Sequence, residues 1–203
     1  MLHSKVLMKE NIDAIFECFA KNYIGIDPKN AIDIYLVGGG AIMLNFDYRL
    51  STIDFDAYFK NSLSIKQAIK ATAIEKGLPD DWLNQDFVST PSFSPVIQQH
   101  SVLYRVYENK VYLYILEPLY LIAMKLKSSR PTGGDLDDIV KMIYELRLSG
   151  SDITFEMIMN AYYSLYIDSS NTIPYFFDKT KKAFDALPDE MNAALGKMKG
   201  YEN

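Results

Sequence analysis

Apolar positions along the chain follow two spacings, and these predict a mixture of helices and strands. Before residue 80, stretches with helical spacing alternate with β-branched runs, and Gly or Pro lies between them. The predicted elements there are a helix at 11–20, a loop at 23–30, a strand at 32–37, a strand-like run at 53–57 and a helix at 65–74 that ends near Gly77. This half of the chain is therefore expected to combine a sheet with helices.

The chain changes character near Ser149-Gly150. The patterns that precede this point are strands at 101–107 and 111–116, which form a predicted hairpin, a helix from Pro118 and a helix at 135–148. After it, aromatic residues recur at helical spacing, with Thr154 as a candidate helix cap. We therefore expect a core at residues 1–148 and a C-terminal helical region, packed on that core, at residues 149–203.

Three consecutive glycines, Gly38, Gly39 and Gly40, follow the strand predicted at 32–37. Apolar residues at helical spacing come directly after them, so we expect a helix to start within the glycines. Glycine lets the backbone turn sharply and lets a ligand approach the bare N–H groups. A glycine-rich turn at a helix N-terminus suits an anion such as a phosphate, although such turns are common in α/β proteins.

Two aspartates, Asp54 and Asp56, are separated by one residue in the strand-like run. In a strand they point to the same face, about 6.6 Å apart along the chain. Ile53, Phe55 and Ala57 then point to the other face, into a core. Two like charges so close are unfavourable unless a cation offsets them, and hard oxygen ligands suit Mg²⁺ or Mn²⁺. The pair indicates a metal site, and the simpler alternative is a solvated strand face.

Composition narrows the classes of protein. Of the 203 residues 49% are hydrophobic, which is enough for one sizeable core. The formal net charge of −5 argues against a broad nucleic-acid surface but leaves a local basic patch open. No apolar run approaches the roughly 20 residues of a membrane span. Because Cys18 is the single cysteine, no intrachain disulfide forms, and we expect a cytoplasmic protein.

The glycine turn and the aspartate pair together resemble the nucleotidyltransferase superfamily, which has the polymerase-β-like fold. The resemblance is carried by the glycine turn, a helix, Arg49 and Thr52, and then the Asp-x-Asp of Asp54 and Asp56. This core pattern is shared across the superfamily, so it identifies a broad class.

Two further segments resemble particular members of that superfamily, the AbiEii-type toxins and DUF6036-type domains. The sequence GLPDDWLNQDF, at Gly77–Phe87, is similar to the Trp-Leu-Asn segment of the DUF6036 group. Residues 117–142 are similar to the lysine–arginine–aspartate motif of the toxins. The similar stretches together cover about residues 30–145, some two thirds of the chain.

The resemblance implies an α+β (α/β) fold, with a nucleotidyltransferase-like mixed sheet flanked by helices. It implies metal-dependent transfer of a nucleotide from an NTP to an acceptor, either tRNA or a protein, with Mg²⁺ or Mn²⁺ as cofactor. It also implies the toxin of a toxin–antitoxin pair, with a cognate antitoxin as partner. The implied site residues are Asp54 and Asp56 as catalytic metal ligands, and Gly38, Gly39, Gly40, Arg49 and Thr52 as nucleotide contacts.

A second implied group of site residues lies in the segment that resembles the toxin motif. Lys125 would offset negative charge on the phosphates, and Arg130 is a second candidate for that role. Asp138 or Asp135 corresponds to the acid of the motif and would orient Lys125 or act as a base. We favour Asp138 as the catalytic acid because it begins an Asp-Ile pair, and we assign Asp135 with Arg130 to nucleotide binding. The alternative is a structural ion-pair network between two helices.

Several alternatives stay open. The superfamily often has a third carboxylate on a later strand, but the strand at 111–116 has none, and only Glu108 and Glu117 flank it. An inactive module that binds nucleotide or another protein is the main alternative function, and a metal-dependent nuclease is the third. Trp82 is expected to be a structural anchor, whereas Asn84 either caps the chain locally or contacts a ligand.

Overall fold

A computed structural model describes residues 6–128, 134–166, 177–182 and 185. It confirms the expected α+β class, with helices and a mixed five-stranded sheet. The chain divides into two compact units, Met1–Leu121 and Ile122–Asn203. The expected domains at residues 1–148 and 149–203 stay a prediction.

The first unit begins with a short strand and a long helix and continues with strands and helices in turn. Its strands are β1 (Leu7–Met8), β2 (Ile32–Leu36), β3 (Ser51–Thr52), β4 (Phe55–Phe59), β5 (Leu83–Asn84), β6 (Ser101–Tyr107) and β7 (Val111–Leu116). Its helices are α1 (Ile12–Ile26), α2 (Gly38–Asn45) and α3 (Leu63–Lys76). The next helix, α4 (Pro118–Ser128), begins at the proline predicted for its first turn and contains the point at which the chain divides.

The five-stranded sheet has the order β5-β4-β2-β7-β6. The central strand β2 is antiparallel to β4 and parallel to β7, and β5 is parallel to β4. The predicted hairpin of β6 and β7 is confirmed. Its turn residues Glu108 and Asn109 have φ of 50° and 55°, the conformation that tight hairpin turns require. Strands β1 and β3 form a separate antiparallel pair.

The two faces of the sheet differ in character because successive side chains of a strand point in opposite directions. Ile34 of β2 and Leu113 of β7 are 0% exposed and belong to the core. Tyr35 and Tyr114 follow them in sequence, are half-buried and lie on the opposite face. The core on the first face is aromatic, since the ring of Phe16 from α1 contacts rings of the sheet region.

The boundaries of α1 and α3 differ from the predictions. Helix α1 continues through Gly25 to Ile26, so the loop predicted at 23–30 starts late. The reason is that Tyr23 is buried and stacks on Phe19, which holds the last turns in helical form.

Helix α3 begins at Leu63, two residues before the prediction. Its N-cap is Ser62, whose Oγ accepts a hydrogen bond from the Ile65 backbone N–H at 3.2 Å. The predicted end at Gly77 is confirmed, and this glycine adopts a left-handed conformation with φ of 62°.

The second unit contains α5 (Asp135–Leu148) and α6 (Phe155–Leu165), and residues 177–182 are helical. Helix α5 has the predicted bounds. The predicted cap of α6 is confirmed, because Thr154 Oγ1 accepts a hydrogen bond from the Met157 backbone N–H at 3.2 Å. Most of the predicted helical region after residue 166 lies outside the described residues.

None of the helices in the described ranges has the length and apolar character that a membrane span requires.

Candidate active site

The glycine turn joins the central strand to α2. Val37 is extended and is the N-cap of α2, and the helix starts at Gly38. Gly38 has φ of 56°, a left-handed conformation that residues with a Cβ rarely adopt. The Val37 backbone N–H donates to the Asp56 carbonyl at 2.9 Å, which fixes the turn beside β4. The predicted strand, glycine turn and helix are thus confirmed.

Two of the three glycines lie against side chains that the sequence had grouped with them. A Cβ at Gly38 would lie 3.0 Å from Asp56 Oδ2. A Cβ at Gly39 would lie 2.7 Å from Thr52 Oγ1 and 2.9 Å from Arg49 Nη2. The chain therefore needs glycine at both positions to bring the turn this close to a carboxylate, a hydroxyl and a guanidinium.

Gly40 has a different reason to be glycine. It is buried, and a Cβ there would overlap the ring of Phe55. Phe55 itself is 0% exposed, so this close approach belongs to core packing. A role for Gly40 in nucleotide binding stays a prediction.

The two aspartates occupy different backbone settings. Asp56 lies within β4, where buried and half-buried residues alternate, and Asp54 lies between β3 and β4. The prediction that Ile53 points into the core is wrong, since its side chain is 69% exposed. The regular alternation begins only at Phe55, where β4 starts, so it does not extend back to Ile53. Phe55 and Ala57 are fully buried, as predicted.

Asn84 is the site residue that the sequence left undecided. Strand β5 pairs with β4 so that Asn84 lies beside Asp56 in register. Its Nδ2 donates to Asp54 Oδ2 at 3.1 Å, and its Oδ1 accepts from the Asp86 backbone N–H at 2.9 Å. The amide oxygen of Asn84 is thus held by the Asp86 backbone, and its amide nitrogen orients the Asp54 carboxylate.

Trp82 fixes the segment that carries Asn84. The indole is 0% exposed, and its Nε1 donates to the Ile69 carbonyl of α3 at 3.1 Å. The Phe55 backbone N–H donates to the Trp82 carbonyl at 2.8 Å, which ties this segment to the start of β4. The interpretation of Trp82 as a structural anchor agrees with these contacts.

The residues before Asp54 are held by their own contacts. Thr52 is buried, and its Oγ1 donates to the Asp54 carbonyl at 3.1 Å. Arg49 Nε donates to the Ser51 carbonyl at 3.4 Å. Lys9 Nζ, from the end of β1, donates to the Phe46 carbonyl at 3.0 Å, which supports the start of this loop. The loop therefore presents Arg49 and Thr52 toward the glycine turn.

The second unit brings together Lys125, Asp135 and Asp138. Lys125 Nζ lies 2.8 Å from Asp135 Oδ1 and 3.0 Å from Asp138 Oδ2. Ser128 Oγ, which the sequence did not single out, donates to the other oxygen of Asp135. Asp135 is 0% exposed and Lys125 is 8% exposed, so one buried ammonium is shared by two carboxylates. The formal charge of this group is −1.

The sequence left a third carboxylate open and named Arg130 as a further candidate site residue. Within 6–128, 134–166, 177–182 and 185, no group of three or more His, Cys, Asp or Glu side chains is arranged to hold a metal ion. Neither Glu108 nor Glu117 therefore forms such a group with Asp54 and Asp56. Arg130 lies outside the described residues.

The sheet, the glycine turn and the adjacent carboxylate are features of a nucleotidyltransferase-type domain. The chain belongs to the family described as nucleotidyltransferase of unknown function, DUF6036, whose model matches residues 13–182. This confirms the resemblance to that family, and the finer resemblance to AbiEii-type toxins stays a prediction. No curated protein and no solved structure matches the chain.

Proposed function

We propose that the protein is a metal-dependent nucleotidyltransferase that moves a nucleotide from an NTP to an acceptor. The observation that carries the proposal is the close approach of Gly38 to the Asp56 carboxylate, where a Cβ on the glycine would lie 3.0 Å from Asp56 Oδ2. This contact brings the candidate phosphate site at the start of α2 next to the candidate metal ligand.

The residues at the turn fit a divalent cation. Asp54 and Asp56 are half-buried carboxylates, and Asn84 holds the first of them in place. Mg²⁺ is commonly held by one or two carboxylates, with water and substrate phosphates as its other ligands, so a pair of acids is enough. A bound Mg²⁺ would stabilise the attacking and leaving oxygens of an in-line displacement.

The other residues of the site would bind and orient the nucleotide. The free N–H groups at the start of α2, including Gly38 and Gly39, suit the triphosphate because a helix N-terminus favours negative charge. The Arg49 guanidinium beside Gly39 would add a charged donor to a phosphate oxygen. In the transfer, the acceptor hydroxyl gives its proton to solvent water and its oxygen bonds to the α-phosphorus. The bond from that phosphorus to pyrophosphate breaks, and pyrophosphate leaves.

In this proposal Lys125 acts together with its two carboxylates. Because Asp135 and Asp138 more than offset its charge, Lys125 is a poor independent cation for phosphates. The contacts favour the orienting role of the two acids over a role of Asp138 as a free base. The same contacts equally suit the structural ion-pair network.

The acceptor and the biological setting rest on resemblance alone. The similarity to AbiEii-type toxins leads us to propose a toxin of a toxin–antitoxin pair, with tRNA or a protein as acceptor and an antitoxin as partner. The second candidate function is an inactive nucleotide-binding module. It is favoured by the close approach of Arg49 and Thr52 to Gly39, which would serve nucleotide binding without a metal.

A labelling assay separates these candidates. The full chain is incubated with Mg²⁺ and each α-labelled NTP, in the presence of total RNA and cell protein. Label that enters RNA or protein supports the transferase, whereas saturable NTP binding without transfer supports the inactive module. Shortening of the RNA in the absence of NTP indicates a nuclease and contradicts both.

Variants then test the assigned site. Asp54→Ala and Asp56→Ala should each lower transfer at least about 100-fold, as expected for loss of charge stabilisation. The matched control is Asp137→Ala, an exposed aspartate in α5, which should leave transfer unchanged. Equal transfer by all three variants would show that the site lies elsewhere.

A further inference from the structure

The first unit has a second concave site, at the end of the sheet farthest from the glycine turn. A cleft of about 600 Å³ is lined by the first residues of β2, the last residues of β4 and the end of α1. Because β2 and β4 are antiparallel, with Ile34 opposite Phe59 and Leu36 opposite Ala57, this end is opposite to the one that carries Gly38. The cleft is thus separate from the candidate active site. Its size is within the usual range for ligand sites.

Tyrosine rings form part of the cleft wall. Tyr35 and Tyr58 are half-buried neighbours across β2 and β4, with ring centroids 6.5 Å apart. Tyr114 stacks behind Tyr35 at 4.8 Å and holds that ring in position. Tyr23 contributes from α1 and is 3% exposed. Such rings have a negative face that attracts cations.

The lining contains two carboxylates, Asp27 near Tyr23 at the end of α1 and Asp33 near Tyr35 on β2. Asp27 accepts hydrogen bonds from the Asn30 side chain at 3.0 Å, and these bonds lower the pKa of the Asp27 carboxyl, so it is ionised at neutral pH. The Asp33 side chain is exposed and makes no hydrogen bond or ion pair with any residue in the described ranges. Burial, and then the charge of Asp33, raise the pKa of Tyr35, so its phenol stays neutral.

We propose that this cleft binds an arginine side chain of a protein partner, between the tyrosine rings and the carboxylates of Asp27 and Asp33. A guanidinium is planar, stacks on aromatic faces and donates to carboxylates in a fork, so it matches both kinds of group in this wall. The lining has two carboxylates and one ammonium, that of Lys60, and the ammonium of Lys110 outside the lining also acts on Asp27.

Nucleic acid is a poorer occupant of this cleft than an arginine side chain, because the cleft wall is acidic. Its phosphates would meet the two carboxylates, and the chain as a whole has a formal net charge of −5. Lys60 is exposed at the rim, and it limits affinity for a cation in this arrangement. The inference does not depend on nucleotidyl transfer, because none of its residues belongs to the candidate active site.

The experiment uses ¹H–¹⁵N NMR of the full chain, titrated with N-acetyl-arginine amide and with its neutral isostere, N-acetyl-citrulline amide. The arginine probe should give saturable shifts at residues 27–35 and 58–62, and the citrulline probe should not. Equal shifts with both probes, or shifts that map outside these residues, would overturn the proposal. Uridine 5′-monophosphate serves as a third probe, and binding of it at the same residues would also overturn the proposal.

Three variants test the charge argument. Asp33→Asn combined with Asp27→Asn should raise the Kd of the arginine probe at least about fivefold, since two favourable charge interactions are lost. Lys60→Met should lower that Kd. The control is Glu10→Gln, an exposed acid outside the cleft, which should leave it unchanged. If the double variant of Asp27 and Asp33 binds the arginine probe with an unchanged Kd, and its spectra remain those of a folded chain, the proposal is wrong.

Discussion

Asn84 Nδ2 donates to Asp54 Oδ2 at 3.1 Å, although 30 positions separate the two residues in sequence. The bond links the end of β5 to the residue just before β4, whose carbonyl also accepts a hydrogen bond from Thr52 Oγ1. The Asp54 carboxylate is therefore oriented by the Asn84 side chain, which is itself fixed by the Asp86 backbone N–H. Residues that orient a metal-binding carboxylate typically contribute about 10–100-fold to metal affinity or activity.

Asn84→Ala should therefore lower Mg²⁺-dependent transfer by about 10–100-fold and raise the Mg²⁺ concentration for half-maximal activity. Asn84→Asp should be at least as harmful, because it places a second carboxylate against Asp54. The measurement is the Mg²⁺ dependence of kcat and KM in the labelling assay. Asn160→Ala, an exposed asparagine on α6, is the matched control. A purely structural role would instead lower stability without moving the Mg²⁺ midpoint.

Gly38→Ala should abolish site function at a modest cost in stability. The new Cβ would lie 3.0 Å from Asp56 Oδ2 and would occupy space that the proposal gives to ligands. The left-handed backbone adds about 1–2 kcal/mol of strain. Gly150→Ala provides the control, since Gly150 has φ of 83° but open space around its Cα. The two variants should lose similar stability in urea denaturation, and only Gly38→Ala should lose transfer. Full activity of Gly38→Ala would show that the glycine turn is not part of the active site.

The sequence predicted those parts of the site that depend on local pattern. The glycine turn and the bounds of α5 follow from spacing over a few residues, whereas only Asp56 of the aspartate pair lies in a strand. Asn84 was undecided because its role depends on the parallel pairing of a two-residue strand with β4, which no periodicity reveals. The signal in the sequence is that Asn84 lies two residues after Trp82, the expected structural anchor.

The error at Ile53 has a related cause. Alternation was extended back to a residue that precedes the strand, where nothing forces a side chain inward. In the second unit, helical spacing predicted that Asp135 and Asp138 are neighbours, but it contained no information on Ser128. That contact joins the last residue of α4 to the first residue of α5, and the spacing within either helix does not reveal it. The fold class was therefore predictable from pattern, whereas side-chain partners across the fold were not.

Lys125→Met should destabilise the protein because it leaves the fully buried Asp135 and the nearby Asp138 without their shared ammonium. Removal of one partner of a buried ion pair typically costs about 3–5 kcal/mol. Lys125→Met combined with Asp135→Asn should recover part of that loss, since the buried charge is removed as well. The free energy of unfolding in urea is the measurement. No recovery in the double variant would mean that packing of the lysine stem, rather than its charge, accounts for the loss.

Trp82→Phe should destabilise the first unit and weaken the site indirectly. The substitution removes the hydrogen bond from the indole N–H to the Ile69 carbonyl, at a cost of about 0.5–1.5 kcal/mol. It also removes ring area that contacts Phe16 and Phe55. Because Trp82 precedes Asn84 by two residues, looser packing here should let the Asn84 amide move away from Asp54. We expect a lower free energy of unfolding together with a higher Mg²⁺ midpoint for transfer, measured at a temperature where the variant is fully folded. A stable variant with an unchanged midpoint would contradict the role of Trp82 as the anchor of this segment.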